Sequence, residues 1–212
     1  MTAVDLSHCR LYGILDLSYV DILEAESTAG KMIEGGVDLI QLRAKASPVG
    51  EIAGIAFELH KLTQAHHIPL IINDHPDIAR TVSAEGVHVG QDDPSVAEVR
   101  QIYGPDCVVG KSTHSFEQAM RAVDEGADYI GYGPIFATPT KPDYAPVGLD
   151  EIAKLHEVVR VPIFCIGGIK LENLAEVIAA GAQRVVIVSG LLQAADVAEY
   201  GRSARQFLND KS

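Results

Sequence analysis

The sequence predicts an α/β protein, a (β/α)8 TIM barrel, in one domain over residues 1–212 with the barrel itself over about 11–208. Three observations carry this. Short apolar runs bounded by Gly, Asp or Pro alternate with amphipathic stretches. Eight such units follow one another with no linker between them. Polar residues gather just after the apolar runs, which is the side of a barrel where catalysis sits. At 212 residues the chain is a little short of the roughly 250 typical of this fold, so long insertions are not expected.

Taken in order, the strands are expected at Leu11–Leu15, Leu39–Leu42, Leu70–Ile72, Gly86–Val89, Val108–Gly110, Tyr129–Gly131, Ile163–Ile166 and Val185–Val188. Their near-continuous apolar character suits parallel strands covered on both faces. Helices fill the intervals. Ser115 followed by Gln118 reads as a capping box, and Gly126 and Gly181 as stops after helical patterns. The phrases EGGVDLI, EGADYIG and AAGAQRVVI share one helix–Gly–strand junction, as if a single unit were reused around a ring. No dinucleotide-type glycine loop follows the first strand, which favours closure over an open doubly wound sheet.

The composition is 47% hydrophobic and 22% charged, enough to bury a large core. A net charge of −12 argues against nucleic acid and anionic membranes as partners and points to small molecules. Any anionic ligand must be held by local cations or a metal ion. Cys9, Cys107 and Cys165 are widely spaced and form no zinc or disulfide pattern. The opening MTAVDLSHCR lacks the order of a signal peptide and no apolar run is long enough to span a membrane. A cytoplasmic protein is expected.

Seven strand ends carry polar segments: QLRAK, INDH, HVGQDD, GKSTH, GPIFATPTK, IGGI and VSG. Arg43 and Lys45 have the spacing to leave one face of a strand together as a pair for a diphosphate, with Lys111 and Lys141 as converging cations. Asp74 and Asp93 follow neighbouring strands and could share Mg2+, leaving its other positions to water and phosphate. The competing reading is that these acids cap the helices that follow. Thr138, Thr140 and Lys141 lie in a proline-rich loop suited to a lid or a phosphate contact, and Gly167, Gly168, Ser189 and Gly190 suit a monophosphate at the last two strands. His114 could transfer a proton. His75, His88 and the pair His66–His67 read as packing or surface residues, and Cys165 as core.

These segments together resemble the thiamine-phosphate synthase family over Leu11 to about Leu192. The resemblance implies a Mg2+-dependent transferase of a pyrimidinylmethyl group. Such an enzyme joins hydroxymethylpyrimidine diphosphate to hydroxyethylthiazole phosphate and releases pyrophosphate. By motif, Gln41, Arg43, Lys45, Asn73, Ser112 and Lys141 would hold the diphosphate substrate, with Arg43, Lys45, Ser112 and Lys141 as the catalytic set. Asp74 and Asp93 would carry Mg2+, and Thr138, Thr140, Gly168, Val188 and Ser189 would receive the thiazole phosphate. A homodimer is implied as well. The chain departs from the family at His75, where Arg is usual, and at Ala137, where Pro commonly precedes the Thr.

Two alternatives remain open at this point. A thiazole tautomerase, an isomerase using His114, shares the barrel and the GxSxH segment, but it can lose the second Asp and the TxTK pattern that are intact here. A non-catalytic thiamine-precursor binding protein would bind without turnover.

Overall fold

The computed structural model describes residues 4–138 and 144–209. Eight parallel strands close into a barrel in sequence order: β1 (Leu11–Asp16), β2 (Leu39–Arg43), β3 (Leu70–Asn73), β4 (Gly86–Val89), β5 (Val108–Thr113), β6 (Tyr129–Tyr132), β7 (Ile163–Cys165) and β8 (Val185–Ile187). Around them lie α1 (Ala25–Glu34), α2 (Val49–Ala65), α3 (Pro76–Val82), α4 (Val96–Tyr103), α5 (Phe116–Asp124), α6 (Ile152–Val158), α7 (Leu171–Ala179), the single turn α8 (Ser189–Leu192) and α9 (Val197–Asn209). Each expected strand is present. The first, second, third, fifth and sixth run further, and the seventh and eighth stop one residue earlier.

Alternation along the strands creates two cores. Outward residues such as Leu11, Leu15, Ile40, Leu42, Ile72 and Val109 pack under the helices. Inward residues fill the lower barrel, where Tyr12, Tyr129 and Phe164 meet edge to face with ring centroids 5.3–6.0 Å apart. Such aromatic pairs add about 0.5–1.5 kcal/mol each beyond simple burial. Leu6 and Cys9, from the segment before β1, pack into the same cluster.

The repeated junction has a physical task at the strands' N-terminal ends. Asp38, ahead of β2, accepts from the backbone N–H groups of Arg10 and Leu11. Glu85, ahead of β4, accepts from Leu70, and Asp128, ahead of β6, accepts from Val109. Each acid satisfies an N–H at the open end of the preceding strand. The glycines of the three repeated phrases, Gly36, Gly126 and Gly181, have φ of +82°, +86° and +106°, the left-handed region in which a helix stop favours Gly.

The capping box expected at Ser115 forms only in part. Ser115 accepts from the Gln118 N–H, but the Gln118 side chain turns to the N–H of His114. A complete box forms at the start of α4, from Ser95 and Glu98.

Glycine at position 110 is a packing requirement, since a Cβ there would stand 2.0 Å from the Tyr129 ring. Gly110→Ala should therefore cost about 1–3 kcal/mol through overpacking. Gly131→Ala, whose Cβ would meet nothing closer than 3.5 Å, should change stability little. Urea unfolding of the two variants checks this, and equal midpoints would contradict it.

Candidate active site

A cleft opens at the C-terminal ends of the strands. It is lined by the uppermost inward residues of almost every strand, because period-two alternation leaves each strand's last inward side chain facing upward into it. Gln41, Arg43, Asn73, Ser112, Thr138, Gly168, Val188 and Ser189 of the expected site all line it. Thr140 and Lys141 lie outside the described residues.

Two of the expected cations are held by carboxylates. β2 ends at Arg43, and its guanidinium meets Asp16 at 2.5 Å, while Lys45, half exposed beyond the strand, meets Asp74 at 2.9 Å. They therefore address two different acids instead of forming one bare pair. Lys111 does not reach the rim. It has the outward parity of β5, is buried between strand and helix layers, and pairs with Glu125 at the end of α5 at 3.5 Å.

Neither expected metal ligand caps a helix. The N-cap of α3 is His75, with no side-chain cap, and that of α4 is Ser95. Asp74 sits at φ +64° with Asp93 against it, and the Asp93 carboxylate also accepts from the Gly90 N–H at 2.7 Å. Burial pushes the Asp74 carboxyl above its ordinary value; the nearby Asp93 adds to this and Lys45 opposes it. Among the described residues, no group of three or more His, Cys, Asp or Glu is placed to hold a metal ion. Two adjoining carboxylates do fit Mg2+, whose remaining positions are normally taken by water and phosphate oxygens.

The opposite side of the cleft is built from glycines. Gly167 and Gly168 have φ of +99° and +66°, and Cβ atoms there would stand 2.4 Å from Pro134 and 2.7 Å from Phe136. Their small size thus lets the loop after β6 lie directly on the loop after β7. Ile135 and Phe136 donate to the Ile166 and Gly167 carbonyls, and Asn173 holds the Gly168 carbonyl from below. Val188 and Ser189 complete this wall at the start of α8.

Three residues, Asp16, His88 and Gln91, take roles that the sequence reading did not give them. Asp16, buried at the end of β1, lines the cleft and anchors Arg43, so the one strand end that seemed bare also contributes. Its parity with Tyr12 and Ile14 was the available signal. His88 is a cleft residue, bonded to Ser112 and Tyr129, and Gln91 donates to the Ser112 carbonyl. His114 lines the cleft with Nδ1 on the Gly133 carbonyl and its ring against Tyr144, centroids 4.2 Å apart. Cys165 is core as expected, its thiol pushed up to about 12 by burial.

A family model described as thiamine monophosphate synthase matches residues 11–191. A thiamine-phosphate synthase of Shouchella clausii is 44% identical over 189 residues, covering 89% of this chain and 90% of its own length. One from Chloroflexus aurantiacus is 40% identical over 210 residues, covering 99% and 97%. Among solved structures, thiamine phosphate pyrophosphorylase from Pyrococcus furiosus superposes with a TM-score of 0.87 at 30% identity, covering 95% of this chain and 96% of that one.

Asp74 favours the fold only when protonated, because its folded-state pKa lies above its unfolded one; that contribution is lost as pH rises through the folded value. At neutral pH its charge opposes folding. Asn tolerates a left-handed backbone, and the half-exposed Lys45 loses little with its partner. In Mg2+-free buffer Asp74→Asn should be more stable than the parent at pH 7, with the advantage shrinking towards about pH 4. Denaturant midpoints across that range test this, and a loss of stability at pH 7 would mark Asp74 as a structural residue.

Proposed function

Because the chain belongs to the thiamine monophosphate synthase family, we propose that its cleft joins hydroxymethylpyrimidine diphosphate to hydroxyethylthiazole phosphate, giving thiamine monophosphate and pyrophosphate. The chain is a transferase-type enzyme of thiamine biosynthesis. The observation that carries the assignment of residues is the division of the rim. Cations and paired carboxylates stand over β1 to β4, and a glycine wall stands over β7 and β8.

In this reading Gln41, Asn73 and Ser112 hold the pyrimidine diphosphate, with Arg43, Lys45 and Lys141 on its phosphate oxygens. Asp74 and Asp93 hold Mg2+, which supplies charge neutralisation for the departing diphosphate. Thr138, Thr140, Gly168, Val188 and Ser189 receive the thiazole phosphate. The bond from the pyrimidine methylene carbon to the diphosphate oxygen breaks, and both electrons leave with the diphosphate. The thiazole nitrogen then donates its lone pair to the resulting carbocation. Arg43, Lys45 and Lys141 favour the first step because negative charge gathers on the leaving group. No protein nucleophile is needed, in keeping with the three buried, un-ionised cysteines.

The tautomerase alternative has less support. The paired carboxylates that isomerisation would not need are both present. A single domain over 1–212, a cytoplasmic location and a homodimer accompany the main reading. Reduced buried cysteines support the location, and the family resemblance supports the dimer.

Pyrophosphate should appear only when both substrates and Mg2+ are supplied, and its absence under those conditions would sink the reading. Asp93→Asn should lower turnover about 100-fold, as for deletion of one contact to developing charge. Thiazole-phosphate binding, followed by calorimetry, should remain. An unchanged rate would remove Asp93 from the metal site.

A further inference from the structure

Beneath the cleft, four hydrogen bonds run through the barrel interior and join residues from five strands. Gln41 Nε2 donates to Tyr12 Oη at 2.5 Å, and Tyr12 and Tyr129 share a bond of 3.0 Å between their hydroxyls. Tyr129 Oη lies 3.1 Å from His88 Nδ1, and His88 Nε2 lies 2.9 Å from Ser112 Oγ. Both phenols are buried, and burial holds each well above its ordinary pKa, so each keeps its one proton.

Counting protons along the chain fixes its direction. An amide nitrogen only donates, so Tyr12 accepts from Gln41 and must spend its own proton on Tyr129. Tyr129 in turn donates to His88 Nδ1, which places the imidazole proton on Nε2, where it is donated to Ser112. Reversing any of the last three links crowds two protons into the contact on its Gln41 side. The two ends of the chain line the cleft, and in this order the carbonyl oxygen of Gln41 and the hydroxyl proton of Ser112 are left for a ligand.

We propose that Tyr12 and Tyr129 are positioning residues that lock this proton order, so that the cleft offers an acceptor at Gln41 and a donor at Ser112. A ring carrying an exocyclic amino group, with an anionic oxygen on the β5 side, matches this pattern; the isostere with an oxo group in place of the amine does not. The inference rests on the reaction assigned above and adds a basis for selecting its pyrimidine substrate.

The test compares the full-length parent with Tyr12→Phe, Tyr129→Phe and the double variant, each of which keeps the buried rings. In the ligand-free parent, 15N shifts of His88 should show the Nε2–H tautomer alone, and Tyr129→Phe should give a mixture. The ratio of kcat/KM for the amino-pyrimidine diphosphate over its oxo analogue should fall about tenfold in either single variant, since an unanchored amide can turn to suit the wrong edge. The double variant should fall no further, and KM for the thiazole phosphate should stay within about twofold, because that pocket is not touched. An Nδ1–H parent, or a discrimination ratio unmoved in the variants, would overturn the proposal. Tautomer measurements need no turnover, so a parent that releases no pyrophosphate counts against the assigned reaction, while an Nδ1–H parent counts against this network.

Discussion

The interior of a closed eight-stranded barrel admits every second residue of each strand, and that constraint governs both what this chain buries and what it exposes at its rim. Going up the strands, the inward positions pass from an apolar and aromatic lower barrel (Leu39, Ile71, Val108, Phe164, Tyr12, Tyr129) to polar and charged side chains (Gln41, Asn73, Ser112, Arg43, Asp16). The hydrocarbon layers hold the barrel closed, and the top layer has the chemistry. Between them, the phenols of Tyr12 and Tyr129 belong to both.

Electrostatics at the rim works locally against a global field of the wrong sign. With a net charge of −12, the chain as a whole repels a diphosphate. Arg43 and Lys45 are each held by a carboxylate, Asp16 or Asp74, and the two acids differ in kind. Asp16 is buried and also bound by Ser18, so it fixes Arg43 in place. Asp74 is pressed against Asp93 and would be relieved by a cation between them. A buried ion pair is costly to break by removing one partner, about 3–5 kcal/mol, which makes Asp16 a structural support for the site as well as part of its wall.

Most of the fold could be read from the chain, because parallel strands covered on both faces appear as short apolar runs and the helix–Gly–strand junctions repeat. The rim segments were legible for the same reason: polar residues ending an apolar strand have few structural uses. The failures came from direction. Lys111 lies in a promising segment, but its parity points it outward to Glu125. His88 read as packing because its partners, Ser112 and Tyr129, are distant in sequence. Asp16 looked like a strand boundary. The capping roles weighed for Asp74 and Asp93 fell away only once the N-caps were seen to be His75 and Ser95. Partners of this kind depend on barrel register, which a single strand's sequence does not contain.

In the proposed reaction the rim has a metal-bound diphosphate half and a separate monophosphate half. Mn2+ in place of Mg2+ offers a direct measurement, because its paramagnetism broadens the 31P signals of nearby phosphates. With each substrate bound in turn, the pyrimidine diphosphate signals should broaden strongly on addition of Mn2+, and the thiazole phosphate signal should broaden much less. Equal broadening of the two, or stronger broadening of the monophosphate, would contradict the account.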